Sequence, residues 1–229
     1  ASANTGNLNT ALGYQTLLSN TTGNNNTASG YRALYANTMG YENTANGMNA
    51  LYNNTAGIQN TATGYDALQA NTTGVSNTAN GWSALFSNTI GSANTANGYR
   101  ALFANTTGTS NTASGNGALQ VNTTGGSNTA IGGSVLAFNN GSNNTAIGGT
   151  ALNFNTTGNN NTATGSSALA FNNTGINNTA NGLNALRNNT TGNNNTALGF
   201  NAYGTGTFDN STALGANAIA ITASDQVRI

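Results

Sequence analysis

The chain has no cysteine and no histidine, and none of its four basic residues is a lysine. Without cysteine it has no disulfides and no thiolate metal ligands. The absence of histidine removes the commonest general base, and the four carboxylates, Glu42, Asp66, Asp209 and Asp225, lie in separate regions. The sequence therefore predicts a protein that is not an enzyme and that holds no metal or cofactor.

Charge is equally scarce, since Arg32, Arg100, Arg187 and Arg228 balance the four acids to a formal net charge of zero. Binding to a phosphate backbone requires clustered lysine and arginine, so no nucleic-acid partner is predicted. No apolar run approaches the ~20 residues that cross a bilayer, so no membrane span is predicted either. Strict periodicity without high net charge favours an ordered chain over a disordered one.

What the chain does have is a repeat of seventeen residues, N-T-A-x-G-x-x-A-L-x-x-N-T-T-G-x-x. We call each repeat a rung and number its places from one to seventeen; the rung at 128–143 is one residue short. So short a period is typical of a solenoid, in which only stacking buries the apolar face of a rung. The sequence predicts an all-β, parallel β-solenoid (a β-roll) whose rungs begin at Asn9, Asn26, Asn43, Asn60, Asn77, Asn94, Asn111, Asn128, Asn144, Asn161, Asn178 and Asn195.

Particular residue types recur at fixed places in the rung. Glycine at places five and fifteen, as in Gly64 and Gly74, predicts a positive φ or a corner without room for a Cβ. Two such corners predict two short strands per rung. Asparagine at places one and twelve, as in Asn60 and Asn71, predicts structural amide ladders rather than ligand contacts. Alanine at places three and eight and leucine at place nine, as in Leu68, predict a narrow interior.

The large side chains change place along the chain. Up to Phe103 they stand at places six and ten, and from Phe138 to Phe171 they stand at place eleven. Places ten and eleven are expected to face opposite sides of a strand. The packing surface is therefore expected to change near the short rung. The cause is either a change in the twist of the solenoid or in its contacts with other chains, or else a bend or a graded taper of the solenoid. The candidate surface-binding residues, which either contact glycans or pack between chains, are Tyr65, Trp82, Tyr99, Arg32 and Arg100.

Three segments are predicted. Residues 1–8 form a partial N-terminal rung, residues 9–194 form the seventeen-residue-repeat solenoid, and residues 195–229 form divergent C-terminal rungs with a neck-like end. The first segment resembles only the end of a rung, so the polypeptide is expected to begin earlier. No signal peptide opens the chain at Ala1, and a secreted protein is expected to have lost it already.

The C-terminal segment carries a family resemblance. The T-A-L-G-x-N-A motifs at 196–202 and 212–218 resemble the rungs of trimeric autotransporter adhesin heads, which are left-handed parallel β-rolls of three chains. The repeats, followed by T-A-S-D-Q-V-R-I at 222–229, are similar to bacterial and phage tail-fibre-like proteins that end in an endosialidase-type intramolecular chaperone. The resemblance covers nearly the whole chain and implies a fibrous, trimeric, extracellular shaft. Two departures are the longer rung and the missing chaperone, which such families remove by self-cleavage.

Three functions are compatible with these features. The first is a structural fibre or adhesin shaft of an extracellular appendage or tail fibre, on a cell surface or virion, which attaches to surfaces or spaces them. The second is a self-assembling extracellular filament, because open solenoid ends present unpaired sheet edges. The third is an ice-binding solenoid that orders water on threonine files at places two and thirteen. Against the third, the rung has N-T-T rather than an outward T-x-T pair, and the neighbouring file is interrupted by Met39, Ala56 and Ile90.

Overall fold

The computed structural model describes residues 5–203, 207–218 and 223–229. The chain divides into two compact units, the N-terminal unit Ala1–Asn111 and the C-terminal unit Thr112–Ile229. Within the described ranges all regular structure is β, and no helix occurs. The predicted partial rung and the predicted C-terminal segment lie in part outside these ranges, at 1–4, 204–206 and 219–222.

Each unit is a parallel β-solenoid in which every strand pairs with the strand of the next rung. The register keeps like residues together, so that Ala45 pairs with Ala62 and Ala62 with Ala79. The predicted fold class is therefore confirmed. The N-terminal unit contains β1 (Thr10–Leu12), β2 (Thr27–Ser29), β3 (Thr44–Asn46), β4 (Thr61–Thr63), β5 (Thr78–Asn80) and β6 (Thr95–Asn97). The C-terminal unit contains β7 (Thr112–Ser114), β8 (Thr129–Ile131), β9 (Thr145–Ile147), β10 (Thr162–Thr164), β11 (Thr179–Asn181), β12 (Thr196–Leu198), β13 (Thr212–Leu214) and β14 (Val227–Arg228).

A full rung has one strand and not the two that the glycine corners predicted. The strand occupies places two to four, and places six to eleven form a continuous turn, so places ten and eleven do not lie on a strand as expected. The physical reason is a left-handed backbone at three places without glycine, represented by Asp66 (φ 55°), Leu68 (φ 51°) and Ser76 (φ 55°). Each such residue turns the chain before a second strand can form.

The two glycine columns meet the two conditions that the sequence predicted. At place five Gly64 has φ 130°, and an added Cβ would lie 2.6 Å from the Gly81 carbonyl oxygen of the next rung. At place fifteen Gly57 has no positive φ, but an added Cβ would lie 2.6 Å from the Gly74 carbonyl oxygen. The first column is required by backbone conformation and close approach, and the second by close approach alone.

Two buried amide ladders run through the interior, as the asparagine columns predicted. At place one, the Asn77 backbone N–H (2.9 Å) and Nδ2 (3.1 Å) donate to Asn60 Oδ1 of the preceding rung. At place twelve, Asn71 Nδ2 donates to Asn54 Oδ1 at 2.8 Å. Both ladders join the Gly74 carbonyl, which accepts from Asn60 Nδ2 at 2.8 Å and from Asn71 Nδ2 at 3.1 Å. These bonds satisfy polar groups that would otherwise be buried without partners.

The apolar interior is small and closed. Ala62, Ala67 and Leu68 have no solvent exposure, and the leucines at place nine from Leu34 to Leu186 are equally buried. Burial of each leucine contributes about 2 kcal/mol. A rung obtains this contribution only when neighbours cover it, so stacking and burial are inseparable in this fold.

Tyr203 stands at place nine, where other rungs carry leucine, and it closes the place-one ladder. Its hydroxyl lies 3.0 Å from Asn195 Oδ1 and 2.9 Å from the Phe208 carbonyl oxygen, and it can donate to either. The same Oδ1 accepts the Ser211 backbone N–H at 2.9 Å. The place-twelve ladder has no such hydrogen bond at its C-terminal end, because Asn189 Oδ1 is buried without a hydrogen-bond partner in the described part of the chain. Burial raises the pKa of Tyr203 to about 12.

This raised pKa predicts a loss of stability in alkali. The unfolded tyrosine has a pKa of about 10. The stabilisation is therefore complete below that value and declines as the pH rises towards 12, the folded pKa. We expect the free energy of unfolding to fall by about 1.4 kcal/mol per pH unit in this window. Urea unfolding at stepped pH measures the slope.

The matched variants are Tyr203→Phe and Tyr65→Phe. Tyr203→Phe removes the hydroxyl, so we expect it to cost about 1 kcal/mol at neutral pH and to flatten the alkaline slope. Tyr65 is exposed, and its replacement should preserve the slope. An unchanged slope in Tyr203→Phe would assign the alkaline sensitivity to another group.

Candidate binding surfaces

The candidate binding side chains lie on outer faces of the described rungs. Among the described residues there is no pocket and no group of three or more His, Cys, Asp or Glu side chains that could hold a metal ion. The turn at places six to eleven carries the exposed aromatic side chains other than Tyr41, while the strand carries an outward threonine at place two. These two faces present different chemistry.

Three of the predicted site residues form a continuous file in the N-terminal unit. Tyr65, Trp82 and Tyr99 all occupy place six and are 44 %, 49 % and 37 % exposed. Their ring centroids lie 6.1 Å apart from Tyr65 to Trp82 and 5.0 Å apart from Trp82 to Tyr99. Because the rungs stack in register, residues seventeen positions apart become direct neighbours. We call these three side chains together with Arg100 the aromatic surface.

Arg100 joins this file to a second one. Its guanidinium carbon lies 5.4 Å from the Tyr99 ring centroid and 5.1 Å from that of Phe103. Phe103 in turn stacks on Phe86 at 5.1 Å, with the two rings nearly parallel. Cation–π contacts of this kind fix the arginine and leave part of its N–H edge available to a ligand. Arg100 therefore adds a positive charge beside Trp82 and Tyr99.

The structure places Arg32 elsewhere. Its guanidinium carbon lies 5.0 Å from the Tyr31 ring centroid and 5.6 Å from that of Tyr35, and its Nε donates to Gln15 Oε1 at 2.7 Å. The rung with Met48 at place six separates this cluster from Tyr65. Tyr65, Trp82, Tyr99 and Arg100 thus lie together, whereas Arg32 belongs to a separate aromatic cluster.

The C-terminal unit carries an aromatic stack that was not among the candidates. Phe138, Phe154 and Phe171 at place eleven stack at 5.4 and 5.5 Å and are 48 %, 43 % and 37 % exposed. Arg187 covers the last ring, with its guanidinium carbon 5.0 Å from the Phe171 centroid. The sequence feature that could have predicted this contact is an arginine at place ten, Arg187, in the rung that follows a phenylalanine at place eleven, Phe171. Exposed apolar rows of this kind often mark contact surfaces.

The two threonine files differ in what their hydroxyls do. At place thirteen the hydroxyls bond the next rung, as Thr38 Oγ1 donates to the Thr55 carbonyl at 3.0 Å and Thr55 Oγ1 to the Thr72 carbonyl at 3.1 Å. At place two, Thr44 and Thr61 are exposed on the strand. The outward partner at place four varies and is serine, asparagine, threonine, isoleucine or leucine. Only the place-two file therefore presents hydroxyls to the solvent in the manner expected for water ordering.

Comparison with protein families, curated proteins and solved structures finds no match for this chain. The likeness to adhesin heads and tail-fibre-like proteins therefore stays a resemblance between short motifs. No helix among the described residues has the length and apolarity that crossing a bilayer requires.

Proposed function

We propose that the chain is a section of a structural fibre, an adhesin shaft of an extracellular appendage or tail fibre that attaches to surfaces or spaces them. The observation that carries the proposal is the pair of in-register interior amide ladders. Each rung presents the same donors and acceptors to the next, so the coil lengthens by repetition, about 4.8 Å per rung. A fold extended in this way provides reach and stiffness.

The absence of a pocket among the described residues also favours a role carried by surfaces. The aromatic surface has the chemistry that glycans require, because sugar rings stack on exposed aromatic faces and an arginine supplies hydrogen-bond donors. The phenylalanine stack of the C-terminal unit is uncharged except for Arg187, and it is the better surface for packing between chains. We therefore assign glycan contact to the aromatic surface and association in a homo-oligomer, a trimer, to the phenylalanine stack.

Electron microscopy of the purified protein, combined with sedimentation analysis, tests the fibre. Discrete three-chain particles are the expected result. Long filaments that grow end to end would instead favour the self-assembling filament. A protein that stays monomeric at every concentration would contradict both, because the exposed phenylalanines would then have no packing role.

The glycan assignment predicts a specific loss on substitution of Trp82. We expect Trp82→Ala to weaken binding of a surface oligosaccharide about tenfold, since a stacked aromatic contributes about 1 to 1.5 kcal/mol. Trp82 is the only tryptophan in the chain, so its fluorescence reports directly on a sugar that stacks there. Titration of the wild-type protein with neutral and acidic oligosaccharides measures the effect.

Ile90→Ala is the matched control, because Ile90 is exposed in the same rung but lies at place fourteen, away from the aromatic surface. It should bind like the wild type. Fluorescence that responds to protein concentration and not to any oligosaccharide would show that Trp82 packs between chains. That outcome would remove glycan contact from the proposal and leave the fibre intact.

The place-two threonines support a second candidate, the ice-binding solenoid. They form an exposed to half-exposed file on parallel strands. One rung in each unit has threonine at both outward places, at Thr61–Thr63 and Thr162–Thr164. The varied residues at place four weaken the regularity that ice requires. Thermal hysteresis at micromolar protein separates the two functions. A clear depression of the freezing point would favour ice binding, and its absence would exclude it.

A further inference from the structure

Asparagine followed by glycine is the most labile dipeptide of this chain, because the backbone nitrogen of glycine meets little steric hindrance when it attacks the asparagine side-chain carbonyl. In four pairs the structure holds that nitrogen in place. The glycine N–H at place five donates to the preceding rung, for example from Gly47 to the Ser29 carbonyl at 2.8 Å. The same bond holds the glycines of Asn80–Gly81 (2.9 Å), Asn97–Gly98 (2.8 Å) and Asn181–Gly182 (2.8 Å).

Asn140–Gly141 is different, because it lies in the short rung. Asn140 is exposed, and the Gly141 N–H donates to no carbonyl among the described residues. In complete rungs the glycine at place fifteen can make such a bond, as Gly57 does to the Thr72 carbonyl at 3.1 Å. The backbone nitrogen of Gly141 therefore lacks the bond that holds the glycines of those four pairs.

The missing residue changes the surroundings of the Asn140 side chain. In a complete rung, the backbone carbonyl at place thirteen accepts from the previous rung, as the Thr55 carbonyl accepts the N–H and hydroxyl of Thr38 at 3.0 Å each. In the short rung the side-chain Oδ1 of Asn140 takes over this role. It accepts the Thr123 N–H at 2.7 Å, the Thr123 hydroxyl at 2.8 Å and the Thr124 N–H at 3.4 Å.

Three donors that converge on one carbonyl oxygen form the arrangement that stabilises an oxyanion. They polarise the Asn140 Cγ–Oδ1 bond and favour the tetrahedral intermediate that forms when a nucleophile adds to Cγ. The neighbouring Gly141 nitrogen is the nucleophile that chain connectivity supplies. In the aspartyl product the same donors also stabilise the side-chain carboxylate.

We propose that Asn140 is a site of spontaneous deamidation. The Gly141 nitrogen bonds to Asn140 Cγ, the Cγ–Nδ2 bond breaks, and ammonia leaves with the proton of the Gly141 N–H. Water then opens the cyclic imide at one of its two carbonyls and yields aspartate or isoaspartate. The isoaspartyl product adds one methylene to the main chain in the rung that is one residue short.

Incubation of the purified chain in mildly alkaline buffer at body temperature, followed by peptide mass spectrometry in ¹⁸O water, tests this proposal. We expect Asn140 to convert at least about tenfold faster than the four held asparagines, Asn46, Asn80, Asn97 and Asn181, which serve as internal standards. Uptake of ¹⁸O and an isoaspartyl fragment pattern identify the imide route. The sixth asparagine–glycine pair of the chain is Asn116–Gly117. Equal rates at Asn140 and the four standards, or faster conversion at Asn116, would overturn the proposal.

Two variants test whether the hydrogen bonds to Asn140 Oδ1, and not the exposure of Asn140 alone, set the deamidation rate. Thr123→Val removes one donor to Asn140 Oδ1 and should slow the conversion at least about fivefold. Thr156→Val is the control, because Thr156 stands at the same place in another rung and its hydroxyl bonds the backbone carbonyl and Oδ1 of Asn173, not Asn140. Equal rates in Thr123→Val and the wild type would refute the role of these donors.

Discussion

Replacement of Gly165 by alanine is expected to prevent the C-terminal unit from folding stably. Gly165 stands at place five with φ 126°, a backbone region that side chains with a Cβ rarely adopt. An added Cβ would also lie 2.6 Å from both the carbonyl carbon and the carbonyl oxygen of Gly182. Neither obstacle can relax by rotation of a side chain. We expect a loss of more than about 4 kcal/mol in the free energy of unfolding, measured by urea titration with circular dichroism.

Gly149→Ala provides the control within the same unit. Gly149 has no positive φ, and no heavy atom lies within 4 Å of an added Cβ. Alanine at this site should leave stability unchanged or raise it by up to about 1 kcal/mol, because it restricts the unfolded chain. If Gly165→Ala were as stable as Gly149→Ala, the rungs would be more loosely stacked than the structure places them.

Asn71→Ala is expected to cost the N-terminal unit about 2 to 4 kcal/mol. The Asn71 side chain is fully buried, and its Nδ2 is the donor to Asn54 Oδ1 at 2.8 Å. Its own Oδ1 accepts from Asn88 Nδ2 at 2.9 Å. The substitution interrupts the place-twelve ladder and opens a small cavity. It also leaves Asn54 Oδ1 without its hydrogen-bond donor in the interior.

Hydrogen exchange, together with urea unfolding, measures both the size and the spread of this effect. Because each rung contacts only its neighbours, amides near residues 54–88 should lose protection more than distant ones. Asn53→Ala changes an exposed asparagine in the same rung as Asn54 and should alter stability by no more than about 0.5 kcal/mol. Equal effects of the two substitutions would mean that the ladder does not stabilise the interior.

The aromatic surface shows how much of a candidate site the repeat could predict. Tyr65, Trp82 and Tyr99 share one place, so stacking in register was enough to predict that they adjoin. The separation of Arg32 from them also follows from the count of rungs between Tyr31 and Tyr65. The contact of Arg100 with Phe103 was harder to foresee, since it depends on how the turn at places six to eleven brings places seven and ten to one side.

The sequence by itself determined the rung length, the parallel register, the buried columns and the places where only glycine fits. These follow from periodicity, because a residue type repeated at one place meets its own copies in the stack. Only the tertiary structure decided that each full rung has one strand, and that Leu68 and its counterparts adopt a left-handed backbone. Local preference disfavours this conformation by about 1 to 2 kcal/mol per residue. The neighbouring rungs offset that cost through bonds such as the one from the Leu68 N–H to the Ala84 carbonyl, 3.0 Å, which no single rung can make alone.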